Sequence, residues 1–178
     1  FSKNEILEIT ISGDSHLDEV LLLEAEPLST ALMSNRFEQG RDGWKDAYSA
    51  IADHTVEASS EGNGSLKISN RRYWYAGALR DVKGIVEGSK SYKLALNAMV
   101  PNIEHGQQTV DIRLLYQDRA GYHWKNISRK TIVPGAWADV ESEFSFLVNG
   151  DIKSAELYVF GPDAGADLFL DKVSIEEL

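Results

Sequence analysis

The 178 residues include no cysteine. That excludes disulfide staples, thiolate zinc sites and cysteine nucleophiles, but it leaves the compartment open, because extracellular bacterial modules often lack cysteine too. Positive charge is scarce: 18 Lys and Arg stand against 28 Asp and Glu, a net charge of −10. This balance opposes attraction to nucleic acid phosphates or anionic lipid, so neither nucleic acid nor a membrane is expected as a partner. No apolar run approaches the ~18 residues of a membrane-spanning helix. The chain opens at Phe1 with no signal peptide and reads as a piece of a longer protein. Catalytic signatures are missing as well: there is no G-x-S-x-G, H-E-x-x-H or P-loop, and His16, His54, His105 and His123 are scattered without ligand spacing. Among 28 carboxylates some pair always falls at a glycosidase-like spacing by chance, so none can be singled out. Helix signals are few. Leu28–Asn35 could carry a short turn, and Asp14–Glu26 reads better as a strand.

What is present is strand chemistry. With 43% hydrophobic and 10% aromatic residues the chain can bury a sizeable core. Strands are expected over 65–69, 72–76, 91–100, 109–118, 123–133, 137–148, 154–161 and 166–178, separated by turns such as EGNG, EGSK, DRAG, NGD and GPDAG. Strands of this length and regular spacing predict an all-β fold, a sandwich or jelly roll of two antiparallel sheets. Period two assigns faces. Val110, Ile112, Leu114 and Tyr116 belong to the core, with Asp111, Arg113, Leu115 and Gln117 opposite; Leu157 and Val159 point inward, which leaves Tyr158 and Phe160 pointing away. Trp44 and Trp137, each in a turn before a strand, read as core.

Residues 7–27 also echo 157–178: each has a strand, a Gly–Asp turn, then Leu-Asp and an alternating acidic strand. One reading makes 1–28 the closing strands of a preceding module and 29–178 the main domain; the other is a chance likeness of two acidic hairpins.

The ordered set NRFEQGRDGW (35–44), EGNGSLKISNR, YAGALRDV, LLYQDRAGYHW, PGAWADVESEF, AELYVFG and ADLFLDKVSI resembles the xylan-binding carbohydrate-binding modules of family 22 and, more loosely, families 4 and 9. The likeness spans roughly residues 34–178. It implies a β-jelly roll whose concave face holds an extended glycan. Such a face needs rigid exposed rings, because the axial C–H groups of a pyranose pack on an aromatic plane while its hydroxyls seek planar polar partners.

The family's Asn-Arg-x-x-x-Trp-x-Gly falls on Asn70, Arg71 and Gly77, with Tyr75 where a stacking tryptophan is expected and Trp74 one position early. As a regular strand, 72–76 would send Arg71, Tyr73 and Tyr75 to the glycan and Trp74 to packing, unless a bulge shifts the register. The second stacking ring matches Trp124, with Asn126 on the same parity, and the outward pair matches Tyr158 and Phe160. Pro162–Asp163 stands where the family often has a glutamate, which removes one hydrogen bond to sugar. Tyr48 reaches the cleft or is an ordinary loop tyrosine; Arg113, Asp111 and Gln117 form a polar floor or pair among themselves. The resemblance also implies a structural Ca2+ held by Glu38 and Asp171 with oxygens near Asn63, the alternative being a hydrogen-bonded carboxylate that ties the first strand to the last.

The expected function is that of a non-catalytic module of a secreted, multimodular polysaccharidase, covalently linked to a catalytic domain such as a xylanase and binding the polysaccharide xylan or a related β-glycan. One rival is a structural spacer without glycan affinity. Another is a jelly-roll polysaccharide lyase with Arg71 or Arg113 neutralising a uronate and a tyrosine as base.

Overall fold

The computed structural model describes residues 31–101 and 106–178. The expectations for 1–28, the echo at 7–27 and His105 lie outside the described residues. Eleven strands follow in order: β1 (Ala31–Asn35), β2 (Trp44–Ala47), β3 (Ile51–Thr55), β4 (Ser65–Ser69), β5 (Gly77–Asp81), β6 (Ser91–Met99), β7 (Gln108–Asp118), β8 (Gly121–Ile132), β9 (Ala138–Ser145), β10 (Ser154–Phe160) and β11 (Leu168–Glu177). One sheet runs β3-β4-β11-β6-β9, with β1 also paired to β11; the other runs β2-β5-β10-β7-β8. All strand pairs are antiparallel, as expected for the sandwich.

Seven of the expected strands match β4 and β6 to β11 within a few residues. Two expectations are corrected. Leu28–Asn35 is not a helical turn where it is described, since β1 pairs there with Val173–Glu176. Residues 72–76 are not a strand but a loop, and β5 begins only at Gly77.

Alternation builds the core. In β6, Tyr92, Leu94, Leu96 and Ala98 are buried, and in β7 Val110, Ile112, Leu114 and Tyr116 meet Leu157 and Val159 of β10. Trp44 is buried, its indole N–H donating to Asn35 Oδ1 at 3.0 Å, while Trp137 is half-buried. In β11 the register shifts between Asp171 and Ser174 at Lys172, whose φ is +52°. This bulge moves the inward set from Leu168 and Leu170 to Val173 and Ile175, so the strand stays apolar on one face despite the extra residue. Two glycines are required by contact. A Cβ on Gly77 would lie 2.0 Å from Val159 O, and one on Gly161 (φ +77°) would lie 1.9 Å from Thr109 O.

The β7–β8 hairpin is fixed by Asp118. Its Oδ1 accepts the Ala120 N–H at 2.7 Å and lies 2.9 Å from His123 Nε2, and its Oδ2 accepts the Asn149 N–H at 2.8 Å. The Asn149 hydrogen bond, helped by His123 and Ala120, holds the carboxyl down at about 2. Its folded pKa lies below the unfolded value of about 3.9, so this stabilisation is complete above pH ~4 and is lost as pH falls toward 2. Melting temperatures measured from pH 6 to pH 2 test this. Asp118→Asn is expected to be less stable at pH 6 and to converge on the wild type near pH 2; a constant gap would remove the carboxylate from the account.

Candidate functional site

The outer face of the five-stranded sheet carries a second apolar cluster, separate from the core: Ala47, Tyr158 and Phe160, with Leu79 and Leu115 packed against it. Strand parity puts Tyr158 and Phe160 outside the sandwich, as expected, yet they are only 7% and 3% exposed. They are a covered floor rather than free platforms, because other rings lie over them. Tyr48, just beyond β2 at one edge, has its ring centroid 6.3 Å from Tyr158 and 6.1 Å from Phe160. Trp124, on β8 at the other edge, lies 5.2 Å from Tyr158 and 6.2 Å from Phe160. Both covering rings keep a large exposed surface. Tyr48 thus leans over the cluster, and it stands in left-handed backbone with φ +59°.

Loop 70–76 supplies three more rings. Tyr73, Trp74 and Tyr75 are 50%, 52% and 38% exposed, so the division of rings expected from strand parity does not occur. Tyr73 and Tyr75 stack at 5.1 Å with planes 2° apart, Tyr75 meets the Tyr48 ring edge-on at 5.4 Å, and Trp74 meets Tyr75 edge-on at 5.7 Å. Trp74 is not a packing residue.

Arg71 corrects the sequence expectation most sharply. It does not face a ligand: it is 2% exposed and its guanidinium serves the backbone. Nε donates to Ala76 O (2.8 Å), Nη1 to Asp163 O (3.0 Å) and Ala166 O (2.8 Å), and Nη2 to Trp74 O (3.2 Å) and Pro162 O (2.6 Å). All five carbonyls belong to the loops 70–76 and 161–166, which are joined further by Gly161 N–H to Trp74 O and Gly165 N–H to Arg71 O. Burial lowers the guanidinium to about 10, with Asp167 and Asp163 opposing the shift, so it stays charged at neutral pH.

The polar side of the face is built on β7 and β8. Arg113 grips Asp111 through two hydrogen bonds of 2.9 and 2.6 Å, which raises its pKa, and its guanidinium lies 5.7 Å from the Trp74 ring and 5.9 Å from Phe160. Asn126 is exposed opposite Arg113. Gln117 shares the face but pairs with Tyr122, about 13 Å along the strand from Arg113. Tyr122, unforeseen in the sequence, is exposed two residues before Trp124 and lengthens the aromatic row; its i−2 spacing from Trp124 was the available signal. A cavity of about 380 Å3 adjoins the rings, lined by Trp74, Thr109, Asp111, Arg129, Gly161, Pro162 and Asp163.

A lyase centre does not form here. Arg71 is engaged with carbonyls and Arg113 with Asp111. Burial, followed by the hydrogen bond from its hydroxyl to Glu156 at 2.8 Å, raises the Tyr158 pKa and keeps that phenol protonated.

The three positions expected to hold calcium are engaged with the protein. Asp171 Oδ2 accepts from Ser60 N–H (2.8 Å), Ser60 Oγ (2.8 Å) and Glu61 N–H (3.2 Å), and its Oδ1 accepts from Lys172 N–H (2.8 Å). Three of these four donors crowd onto Oδ2 and one reaches Oδ1. Glu38 accepts the Asn63 backbone N–H at 3.0 Å. Among the described residues no three His, Asp or Glu side chains converge. As arranged, Asp171 ties the 58–63 loop to β11, and Glu38 ties the same loop to the segment after β1.

Three relatives bear on this geometry. A family model described as a carbohydrate binding domain matches residues 29–165. Endo-1,4-beta-xylanase A of Thermotoga maritima is 27% identical over 167 residues, covering 90% of this chain and 15% of that protein. Endo-1,4-beta-xylanase A of Thermoanaerobacterium saccharolyticum is 26% identical over 172 residues, covering 94% of this chain and 15% of that protein. The chain thus spans about a seventh of these relatives. Among solved structures, the CBM22-1 xylan-binding domain of Paenibacillus barcinonensis Xyn10C shares the fold with a TM-score of 0.74 at 19% identity, covering 83% of this chain and 94% of that one.

Two outcomes test the anchoring. Arg71→Lys leaves at most three donors for five carbonyls and is expected to lower stability in urea unfolding by about 2 kcal/mol or more; a loss below about 0.5 kcal/mol would contradict the role given to the guanidinium. Asp171→Asn is expected to lower Tm in the presence of a chelator. Equal Tm values in chelator, with a gap opening on addition of calcium, would transfer the role of Asp171 to a metal.

Proposed function

Since this chain belongs to the carbohydrate-binding domain family CBM_4_9, we propose that it is a xylan-binding module and that the outer face of the five-stranded sheet is its binding site. Membership makes the domain a binding module and not a catalytic one. The observation that carries the site is the placement of Tyr48 and Trp124, exposed rings at opposite edges of one sheet that both lean over the buried pair Tyr158 and Phe160. An apolar cluster on the outside of a sandwich has no part in closing the core, and rings rimmed by Arg113, Asp111 and Asn126 suit a ligand with an apolar face and a hydroxylated edge. A pyranose chain is such a ligand.

Xylan as the polymer is supported by the xylanase relatives and by the xylan-binding domain of like fold. The relatives' length supports a covalently linked catalytic domain. Tethering would hold that domain at high effective concentration on its polymer, and a polymer of this size is met outside the cell, which supports secretion. Stacking on rigid rings neutralises no charge, so affinity for a neutral oligosaccharide should be of micromolar order and nearly independent of salt.

Isothermal titration with xylohexaose tests the reading. Trp124→Ala and Tyr48→Ala are each expected to raise Kd about tenfold or more, as for the loss of a buried aromatic anchor. Absence of binding by the wild type to xylohexaose and to soluble xylan would contradict it and favour the spacer.

A further inference from the structure

The cavity beside the rings holds an arginine to which sequence parity gave no role. In β8, Trp124 and Asn126 share the exposed face with Tyr122, and regular alternation would turn residue 129 inward. Instead the register shifts between Ile112 and Arg113: Arg113 pairs with Asn126, and Ile112 pairs with Ser128. Ile127 is the extra residue, buried in the core, and beyond it Arg129 comes directly opposite Asp111 on the outer face.

That position makes Arg129 the natural partner of Asp111, but Asp111 is already held by both hydrogen bonds of Arg113. Two guanidinium groups therefore face one carboxylate. Among the described residues the Arg129 side chain makes no hydrogen bond or ion pair, and it is exposed at the cavity wall. The other carboxylate of the cavity, Asp163, accepts from the Gln108 amide at 3.3 Å and lies near the buried charge of Arg71. The remaining walls are Trp74, Thr109 and the Gly161–Pro162 backbone. A second cavity, about 150 Å3, continues from Asp111 and Arg129 along Arg113, Asn126 and Ser128.

We propose that this cavity takes a carboxylate-bearing branch of the bound glycan, a uronic acid, with Arg129 as the residue that recognises it. The inference rests on the glycan-binding reading of the same face. A branch leaving a backbone stacked on Tyr48 and Trp124 would reach the cavity past Trp74, whose ring lies over Arg113 on that side. A planar guanidinium matches a carboxylate through two parallel hydrogen bonds, and no other cation on the cavity wall lacks a partner. The lyase reading assigned a uronate to Arg71 or Arg113; the geometry leaves the charge for one at Arg129.

The test uses two ligands, a xylo-oligosaccharide carrying one glucuronic acid branch and the same compound with its carboxyl reduced to the alcohol. Titration calorimetry at low salt and at 0.5 M NaCl is expected to give about a tenfold preference of the wild type for the acidic ligand, diminished by salt. Arg129→Gln should bind both ligands with the affinity the wild type shows for the reduced one, and Arg129→Lys should retain part of the preference. Equal affinity of the wild type for the two ligands, weaker binding of the acidic one, or a preference that persists in Arg129→Gln would overturn the proposal while leaving binding of the reduced ligand as evidence for the ring face. Failure of both ligands to bind would overturn both readings.

Discussion

The site depends on one buried guanidinium. Loops 70–76 and 161–166 end the strands β4, β5, β10 and β11 at the same edge of the sandwich, and between them they direct five carbonyls at one point. Carbonyls buried without donors would cost the fold heavily, and arginine is the side chain with five N–H donors in one plane. The charge that this burial isolates is offset by Asp163 and Asp167. Because the cation acts on backbone, it fixes where the chain goes, and through the chain it fixes the rings of Trp74 and Tyr75.

The ring face follows from that constraint. Tyr158 and Phe160 are outward residues of a central strand, and they would be exposed if the loops and edge strands did not bring rings over them. Tyr48 leans from the β2 side, Trp124 from β8, and Tyr75 and Trp74 continue the row at the loop end. Rings packed edge to face are held before a ligand arrives, which reduces the ordering cost of binding. Arg113 joins the polar and aromatic sides, since the one guanidinium grips Asp111 and lies near both Trp74 and Phe160.

What the sequence made legible was whatever obeys period two over a regular strand. The inward and outward sets of β7 and β10 could be read directly, including Tyr158 and Phe160 away from the core, because neither strand is interrupted within those residues. The segment around Tyr73 to Tyr75 has the composition of a strand, but its course is set by Arg71 bonding to Pro162, Asp163 and Ala166, more than ninety residues away. No local pattern carries that information. Arg129 was hidden for a second reason: the bulge at Ile127 exchanges the faces of β8 midway, and a hydrophobic residue out of step does not announce a bulge on its own. Glu38 and Asp171 were singled out by the family resemblance alone, and their hydrogen bonds to Asn63, Ser60 and Glu61 depend on how the 58–63 loop folds back.

The central claim, that glycan lies on the outer face of one sheet across rings held in place from behind, is tested most directly by the four indole N–H signals in an NMR titration with xylohexaose. Trp74 and Trp124 lie on that face, Trp44 is buried with its N–H bonded to Asn35, and Trp137 precedes β9 of the other sheet. The signals of Trp74 and Trp124 should shift with a common saturation curve while that of Trp44 stays in place and that of Trp137 moves little. Shifts confined to Trp137, or none at saturating ligand, would contradict it.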